Sequence, residues 1–295
     1  MTALALIPAP AADRIVLGPV TIRYYGLLIA VGVLLAVWLT RRRYAMRGGD
    51  AEFAERTAVV AVAFGFLGAR LAYVSTHLGA FAERPWAALF IWEGGLALFG
   101  GLTLGALAAW VCLRHRGADV AVFADAAAPA VPLAQAFGRW GNYFNQELYG
   151  TPTRLPWALE VDPSHRVAAY QHAATFHPTF LYEPLWNLAL AGLIVWIDRR
   201  LRPARGMLAF AYLAGYGLGR FLIELLRTDT TFRLLGLSPN NWVALAVCLA
   251  GLAGLAWRLR TRHPTIPDPE RTHGLMTMRC RRAAIRGACP HAGTS

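Results

Sequence analysis

This chain contains no lysine, and all 29 of its Lys and Arg residues are arginine. Cysteine is scarce: Cys112 and Cys248 lie within apolar runs, while Cys280 and Cys289 lie in an arginine-rich tail. This spacing excludes a disulfide framework and an ordinary zinc site. Charged residues make up only 16% of the 295 residues, whereas about a quarter is typical of soluble domains. These deficits argue against a soluble domain and against thiol chemistry by the protein itself.

Apolar residues are abundant, at 56% of the chain, and 10 tryptophans, 14 phenylalanines and 10 tyrosines exclude a disordered chain. A helix of ~17 to 25 residues crosses the hydrocarbon core of a bilayer. Seven such windows predict an all-α bundle of seven membrane spans: Thr21–Leu39, Thr57–Thr76, Leu96–Leu113, Ala118–Phe137, Thr179–Ile197, Gly206–Leu226 and Asn241–Trp257. The fourth is the weakest, because it contains Asp125, Pro129 and Pro132, and a buried or re-entrant helix is its alternative.

The distribution of arginine predicts the orientation, because positive residues accumulate in cytoplasmic loops. Most arginines fall in the segments that are internal if the N-terminus is external and the C-terminus cytoplasmic. The net charge of +12 therefore indicates a membrane rather than a nucleic-acid partner. We expect an external lead-in (1–20), a membrane domain (21–257) with an external head region (138–178), and a basic, disordered cytoplasmic tail (258–295) that contacts anionic membrane lipids.

From three of the predicted spans we single out four charged residues that should not face lipid: Arg70, Asp125, Arg220 and Glu224. A charge at this depth costs several kcal/mol unless it faces protein or water. Arg220 and Glu224 share one helix face with Tyr216, which makes a polar stripe. An ion pair that only fixes helix packing is the alternative for this stripe. Arg70 either joins the same polar interior or pairs with Asp125 or Glu93.

A run of thirteen residues opens the predicted head region, from Gly138 to Gly150. A helix here would place Arg139, Asn142 and Gln146 on one face. The run closely resembles the signature of the prolipoprotein diacylglyceryl transferases, Gly-Arg-x-Gly-Asn-aromatic-x-Asn-x-Glu-Leu-x-Gly. An interfacial helix with an aromatic anchor is the alternative interpretation.

Further stretches follow the order of that family, so the resemblance covers roughly Arg23 to Trp257. They are Arg23-Tyr24-Tyr25-Gly26, Gly68-Ala69-Arg70, Trp92-Glu93-Gly94-Gly95, His177-Pro178-Thr179, Leu181-Tyr182-Glu183 and Tyr216 through Arg227.

The resemblance implies a multi-pass enzyme of the bacterial inner membrane with its active site toward the external face. Such an enzyme transfers the diacylglyceryl group of phosphatidylglycerol to the lipobox cysteine of a prolipoprotein signal peptide. It releases glycerol 1-phosphate in this first step of lipoprotein maturation. The resemblance also implies that Arg139, Asn142, Asn145, Glu147 and Tyr216 bind phosphatidylglycerol, and that Arg139, Arg220, Tyr25 and Glu224 are catalytic. Guanidinium groups suit this chemistry because they hold phosphate oxygens bidentately.

Many members of the family carry histidine at the position occupied here by Phe99. The group that deprotonates the acceptor thiol therefore stays open, with His177, Glu147 and Glu224 as candidates. The positive field of two arginines could also lower the pKa of the thiol without any base.

Two other function classes compete with a transferase. A transporter or flippase of an anionic lipid also needs charges inside the bundle, and a membrane scaffold needs no chemistry at all. The charges crowd toward the external half and no inverted repeat is visible, which favours the enzyme. Neither a nucleotide-binding nor a metal-binding motif occurs, so we expect no cofactor, no metal and no nucleic acid.

Overall fold

A computed structural model describes residues 7–18, 20–90, 94–229 and 232–261 of the chain. This part is mostly helical, with four short strands. The helices are α1 (Tyr24–Ala45), α2 (Ala51–Thr76), α3 (Leu98–His115), α4 (Val120–Ala127), α5 (Ala130–Phe144), α6 (Thr179–Leu201), α7 (Met207–Glu224) and α8 (Pro239–Thr261). The strands are β1 (Arg14–Leu17), β2 (Val20–Arg23), β3 (Leu159–Glu160) and β4 (Thr175–Phe176). The tail beyond residue 261 lies outside the described residues.

Six stretches of the described residues are long and apolar enough to cross a membrane: α1, α2, α3, α4 with α5, α6 and α8. The fold is therefore that of a multi-pass membrane protein. The fourth predicted span is two helices, which meet at Ala128 and Pro129. Helix α7 also forms where a span is predicted, but it has 18 residues and carries Arg220 and Glu224, and it is not among the six. Seven spans stay a prediction.

Two antiparallel β-ribbons correct the all-α prediction. Strands β1 and β2 pair with Leu17 opposite Val20, so α1 begins at Tyr24 rather than at the predicted Thr21. Strands β3 and β4 pair in the same way, with Leu159 opposite Phe176. Stretches this short carry no alternating pattern long enough to be recognised.

Asp125 has a local structural explanation. Its carboxylate accepts hydrogen bonds from the backbone N–H groups of Gly206 and Ala209, at 2.6 and 3.0 Å. It thus satisfies unpaired donors at the start of α7. The aspartate fixes α4 against α7, which sets the height of α7 in the bundle.

Glycines bring several helices into close contact, and two pairs of them, Gly101 with Gly105 and Gly215 with Gly219, have the Gly-x-x-x-Gly spacing that allows helices to pack closely. A Cβ atom on Gly101 would lie 3.0 Å from the carbonyl oxygen of Gly65, so α2 and α3 touch through their backbones. On α7, a Cβ on Gly215 would strike Leu190, and one on Gly219 would strike the indole of Trp186. The close approach of α6 to α7 positions the polar residues described next.

A small layer of loops and short strands covers one end of α5 and α6. Its buried core consists of Tyr149, Leu159, Val161, Phe176 and Phe180. Strand β4 lies between β3 and the segment from residue 150 to 153, which holds both ends of the layer together. The layer corresponds to the predicted head region, except that residues 138–144 belong to α5.

Candidate active site

Glu183 lies at the centre of a buried ion-pair network formed by α5, α6 and α7. Its carboxylate lies 2.6 Å from Nε of Arg139, 3.3 Å from Nη1 of Arg220 and 3.6 Å from Nη1 of Arg227. The glutamate side chain is only 6% exposed. A buried carboxylate is stable in its charged form only with such partners. The three arginines, from two helices and the loop after α7, thus share one anion.

A second buried carboxylate, Glu224, completes the network from the end of α7. It lies 2.7 Å from Nη2 of Arg220, one helical turn earlier, and 3.5 Å from Nε of Arg227. Its other oxygen accepts hydrogen bonds from the hydroxyl of Ser238 and the amide of Asn240, at 3.0 and 2.9 Å. Glu224 therefore orients Arg220, as the i, i+4 spacing predicts.

Arg227 forms a further pair with Asp229, in which Nε and Nη2 contact the two carboxylate oxygens at 2.7 and 2.8 Å. Burial alone would raise the pKa of Asp229, but the hydrogen bonds and charge of Arg227 outweigh it, so this pKa is lowered. The backbone of Arg227 pairs with that of Gly150, which joins this loop to the head region. We call Arg139, Arg220, Arg227, Glu183, Glu224 and Asp229 the arginine cluster.

The signature segment, Gly138 to Gly150, borders the arginine cluster on the side of α5. Nη1 of Arg139 donates to Oδ1 of Asn142 at 3.4 Å, and the Asn142 amide donates to Glu147 at 2.9 Å. The Asn145 amide donates to the same Glu147 oxygen at 3.0 Å. Asn142 is buried, with 4% of its surface exposed. The structure thus joins four of the predicted site residues in one hydrogen-bonded chain.

The turn after α5 departs from the predicted helical face. Gln146 has a left-handed backbone with φ of 50°, and its side chain turns to Asp162 in the head region instead of joining Arg139 and Asn142. Leu148 is also left-handed, with φ of 60°. Two such non-glycine residues in one turn store backbone strain. The turn aims Glu147, which lies between them, back at the two asparagines.

The two predicted tyrosines occupy different sides of the cluster. The ring of Tyr25 lies against Gly141, where a Cβ atom would clash with it, and it is close enough to sense the charges of Glu147 and Arg139. Tyr216 stacks on Tyr212 with ring centroids 5.7 Å apart. It also lines a small cavity next to Arg220. Both hydroxyls can donate to phosphate or ester oxygens.

The candidates for the base that deprotonates the acceptor thiol lie in different parts of the structure. His177 lies in the head region, with Nδ1 3.2 Å from the hydroxyl of Tyr182. Burial lowers its pKa, so the ring is neutral near pH 7. Phe99 is 61% exposed at the start of α3. Glu147 and Glu224 are both engaged by donors, as described above.

Arg70 has backbone partners outside the arginine cluster. It donates to the carbonyl oxygens of Ala87, Ala88, Gly94 and Gly95, at 2.6, 2.8, 2.5 and 3.0 Å. Asp125, one of its two expected partners, instead holds the start of α7, and Glu93, the other, lies outside the described residues. Arg70 therefore anchors the loop between α2 and α3.

The central role of Glu183 is the feature that sequence reasoning missed. The intramembrane charges singled out from the sequence leave it out, although it lies within the fifth predicted span. An acidic residue one turn into an apolar helix was the available signal. Arg227 was named only as the end of a family-like stretch, and Asp229 was not named at all. Charged residues at the end of a span are common, and only the folded loop shows that Arg227 is buried.

The arrangement suits the binding of a phosphate group. Each guanidinium has five N–H donors. Within the described part of the chain, the contacts of Arg139 to Glu183 and Asn142 are made by Nε and Nη1. The Arg139 side chain is 23% exposed and that of Arg220 is 14% exposed, so both are accessible at the edge of the cluster. Among the described residues, no group of three or more His, Cys, Asp or Glu side chains could hold a metal ion.

Comparison with known proteins gives one consistent family. The family model described as prolipoprotein diacylglyceryl transferase matches residues 13–257. A protein of Streptomyces coelicolor named phosphatidylglycerol–prolipoprotein diacylglyceryl transferase 2 is 47% identical over 275 residues, which are 92% of this chain and 86% of that protein. Proteins named phosphatidylglycerol–prolipoprotein diacylglyceryl transferase from Frankia alni and Corynebacterium efficiens are 46% and 47% identical, covering 98% and 83% of this chain and 77% and 80% of their own lengths.

Proposed function

The chain belongs to the prolipoprotein diacylglyceryl transferase family, and from this membership we propose the reaction that it performs and the site at which the reaction occurs. The enzyme transfers the diacylglyceryl group of phosphatidylglycerol to a prolipoprotein. The acceptor is the thiol of the lipobox cysteine, next to the signal peptide. The observation that carries the site assignment is the Arg139–Glu183–Arg220 bridge, which joins the signature segment to α7.

The reaction exchanges one bond for another. The thiolate sulfur attacks the glyceryl carbon that carries the phosphate ester, and a carbon–sulfur bond forms as the carbon–oxygen bond breaks. The electron pair of the broken bond stays on the phosphate of the leaving glycerol 1-phosphate. The proton of the thiol goes to a base or to water. The phosphodiester itself supplies the leaving group, so no cofactor is needed for this balance.

Arg139 and Arg220 hold the phosphate and stabilise the charge that grows on its bridging oxygen. Their guanidinium groups are fixed in advance by Glu183 and Glu224, and preorganised donors of this kind lower a barrier without reorganising during the reaction. Asn142, Asn145, Glu147 and Tyr25 shape the pocket on the α5 side. Tyr216 closes it on the α7 side.

The base for the thiol is left unassigned. Burial lowers the pKa of His177, which makes it a weaker base. Its contact with Tyr182 engages Nδ1 only, so His177 stays a candidate through Nε2, beside Glu147 and Glu224. The three arginines of the cluster create a positive field that favours a thiolate nearby.

The membrane arrangement is part of the proposal. We place α7 across the membrane as a seventh span, with the N-terminus and the head region external and the C-terminus cytoplasmic. Arg41, Arg42 and Arg43 end α1, and Arg199 and Arg200 end α6, at the helix ends opposite the arginine cluster. This distribution supports a bacterial inner-membrane location with the active site toward the external face. The domain limits remain those expected from the sequence: 1–20, 21–257 with the head at 138–178, and 258–295.

A lipid transporter explains the cluster less well. The match to one enzyme family covers residues 13–257. The arginine cluster lies near one end of α5, α6 and α7, and another ion pair, of the buried Arg43 with Asp198, lies at the opposite end of α6. A scaffold would not need this cluster of buried arginines.

The test uses purified protein in detergent with phosphatidylglycerol and a lipobox peptide that contains cysteine. Mass spectrometry should find the diacylglyceryl peptide and an equal amount of glycerol phosphate. A peptide with cysteine replaced by serine is the control and should give neither. A folded protein that binds the lipid but forms no adduct would favour lipid transport instead.

A further inference from the structure

A small cavity lies between α6 and α7, next to the arginine cluster. Its volume is ≈ 10 Å³, and its walls are Glu183, Trp186, Asn187, Tyr216, Gly219, Arg220 and Ile223. A space of this size holds about one water molecule or one ligand oxygen atom. The indole of Trp186 lies against Gly219 and donates to the carbonyl oxygen of Gly215 at 3.0 Å. The cavity therefore lies where glycines without side chains let α6 approach α7.

Asn187 is the unexplained member of this wall. It is 3% exposed, and no hydrogen bond joins its amide to the described residues. The fully buried polar atoms without a partner in this part of the chain belong to other residues, so the Asn187 amide reaches open space, which is the cavity that it lines. Native proteins pair such an amide with a ligand or an ordered water. Because the amide borders the cavity, an oxygen atom placed there would satisfy it.

The depth of the cavity identifies the kind of oxygen. Asn187 lies one helical turn beyond Glu183 on α6, and Tyr216 lies one turn before Arg220 on α7. Both are therefore one turn farther into the membrane segments than the arginine pair. In a glycerophospholipid, the ester carbonyls lie a few bonds from the phosphate on the side of the acyl chains. A phosphate on Arg139 and Arg220 brings these carbonyls to the level of the cavity.

We propose that Asn187 donates a hydrogen bond to an ester carbonyl of the diacylglyceryl group, with Tyr216 beside it, and so makes the enzyme select ester-linked over ether-linked lipids. The proposal rests on the proposed function, because it needs the phosphate on the arginine pair. The ester carbonyl oxygen needs about the space of one water molecule. It can therefore replace a water in the cavity and accept the hydrogen bond that the Asn187 amide would donate to that water. An ether-linked donor has no carbonyl, so it leaves a water molecule at the amide and gains no hydrogen bond of its own there.

The experiment compares the transfer rates from diacyl and dialkyl phosphatidylglycerol with matched chains. Wild-type protein should use the diacyl donor about three- to tenfold better, the range of one neutral hydrogen bond. Asn187→Leu should bring this ratio close to one by slowing only the diacyl reaction. Leu188→Ala, at an exposed position of the same helix, is the control and should keep the wild-type ratio.

Three results would overturn the inference while leaving the transferase in place: equal use of both donors by wild-type protein, an unchanged ratio in Asn187→Leu, or an equal fall with both donors, which indicates a packing role only. Wild-type protein that transfers from neither donor would overturn the proposed function itself. If Asn187→Leu does not fold, infrared spectroscopy on wild-type protein with ¹³C-labelled ester carbonyls gives a second measurement. A shifted carbonyl band on binding supports the hydrogen bond, and an unshifted band contradicts it.

Discussion

Replacing Glu183 with glutamine removes one negative charge from the arginine cluster while keeping the size of the side chain. Arg220 and Arg227 keep other partners, Glu224 and Asp229, each at 2.7 Å. Among the described residues, Arg139 keeps the 3.4 Å contact to Asn142. The effect of Glu183→Gln should therefore fall mainly on the position of Arg139.

The expected magnitude follows from the lost contact. A hydrogen bond to a charged group contributes ~1.5 to 3 kcal/mol, and each 1.36 kcal/mol is a tenfold change in rate. We therefore expect kcat/KM for phosphatidylglycerol to fall roughly ten- to 150-fold in Glu183→Gln. Because Glu183 positions a group that acts on the phosphate, kcat should fall along with it. Glu183→Asp, which keeps the charge, should recover part of the loss.

The assay is the mass-spectrometric transfer reaction over a range of lipid concentrations, with folding checked by thermal unfolding in detergent. Glu52→Gln is the matched control, because Glu52 is 72% exposed in a surface pair with Arg56, and surface pairs contribute little. Folded Glu183→Gln with wild-type kinetics would refute the positioning role. Faster turnover would refute it as well, because it would show that Glu183 competes with the phosphate for the arginines.

Three further predictions concern the surroundings of the cluster. His177→Gln should change transfer by less than about tenfold and keep the pH profile, because Tyr182 engages the ring and base catalysis contributes ~100-fold or more; loss of an acidic limb below pH 6.5 would instead identify His177 as the base. Since the pKa of Asp229 is lowered in the fold, its pair with Arg227 stabilises the protein above about pH 4, the unfolded value, and this contribution disappears as the pH falls through the folded value. Asp229→Asn should therefore lose less thermal stability than wild type between pH 7 and pH 3, and equal losses would contradict this. Deleting Pro264 to Ser295 should leave transfer largely intact, whereas an inserted, folded truncation without activity would show that the tail takes part.

Hydrophobic windows predicted the helices well because each span must satisfy its own backbone hydrogen bonds in lipid. The prediction was wrong at two places, each for a local reason. Helices α4 and α5 separate at Pro129, where a helix cannot continue unchanged, and the ribbon of β1 and β2 uses strands too short to show a pattern. Helix α7 forms where a span is predicted, although Arg220 and Glu224 reduce its apolar character.

The candidate site was only partly accessible from sequence. Arg139, Asn142, Asn145 and Glu147 stood in one signature, and the structure brings them together in one chain of contacts. The link from Arg139 to Arg220 could not be read in this way, because it passes through Glu183 on a third helix. The position of the Asn187 amide at the cavity depends on helix packing as well. Tertiary neighbours of this kind leave no local pattern in a single sequence.

The most direct test of the central claim is the yield of diacylglyceryl peptide from purified wild-type protein and from the double variant Arg139→Lys with Arg220→Lys. Lysine keeps both positive charges but cannot contact a phosphate bidentately. The account predicts a cysteine-dependent adduct with wild-type protein and at least a 100-fold lower rate with the double variant, about 1.4 kcal/mol for each lost bidentate contact. A folded double variant with the wild-type rate would contradict the claim that these two arginines hold the phosphate during transfer.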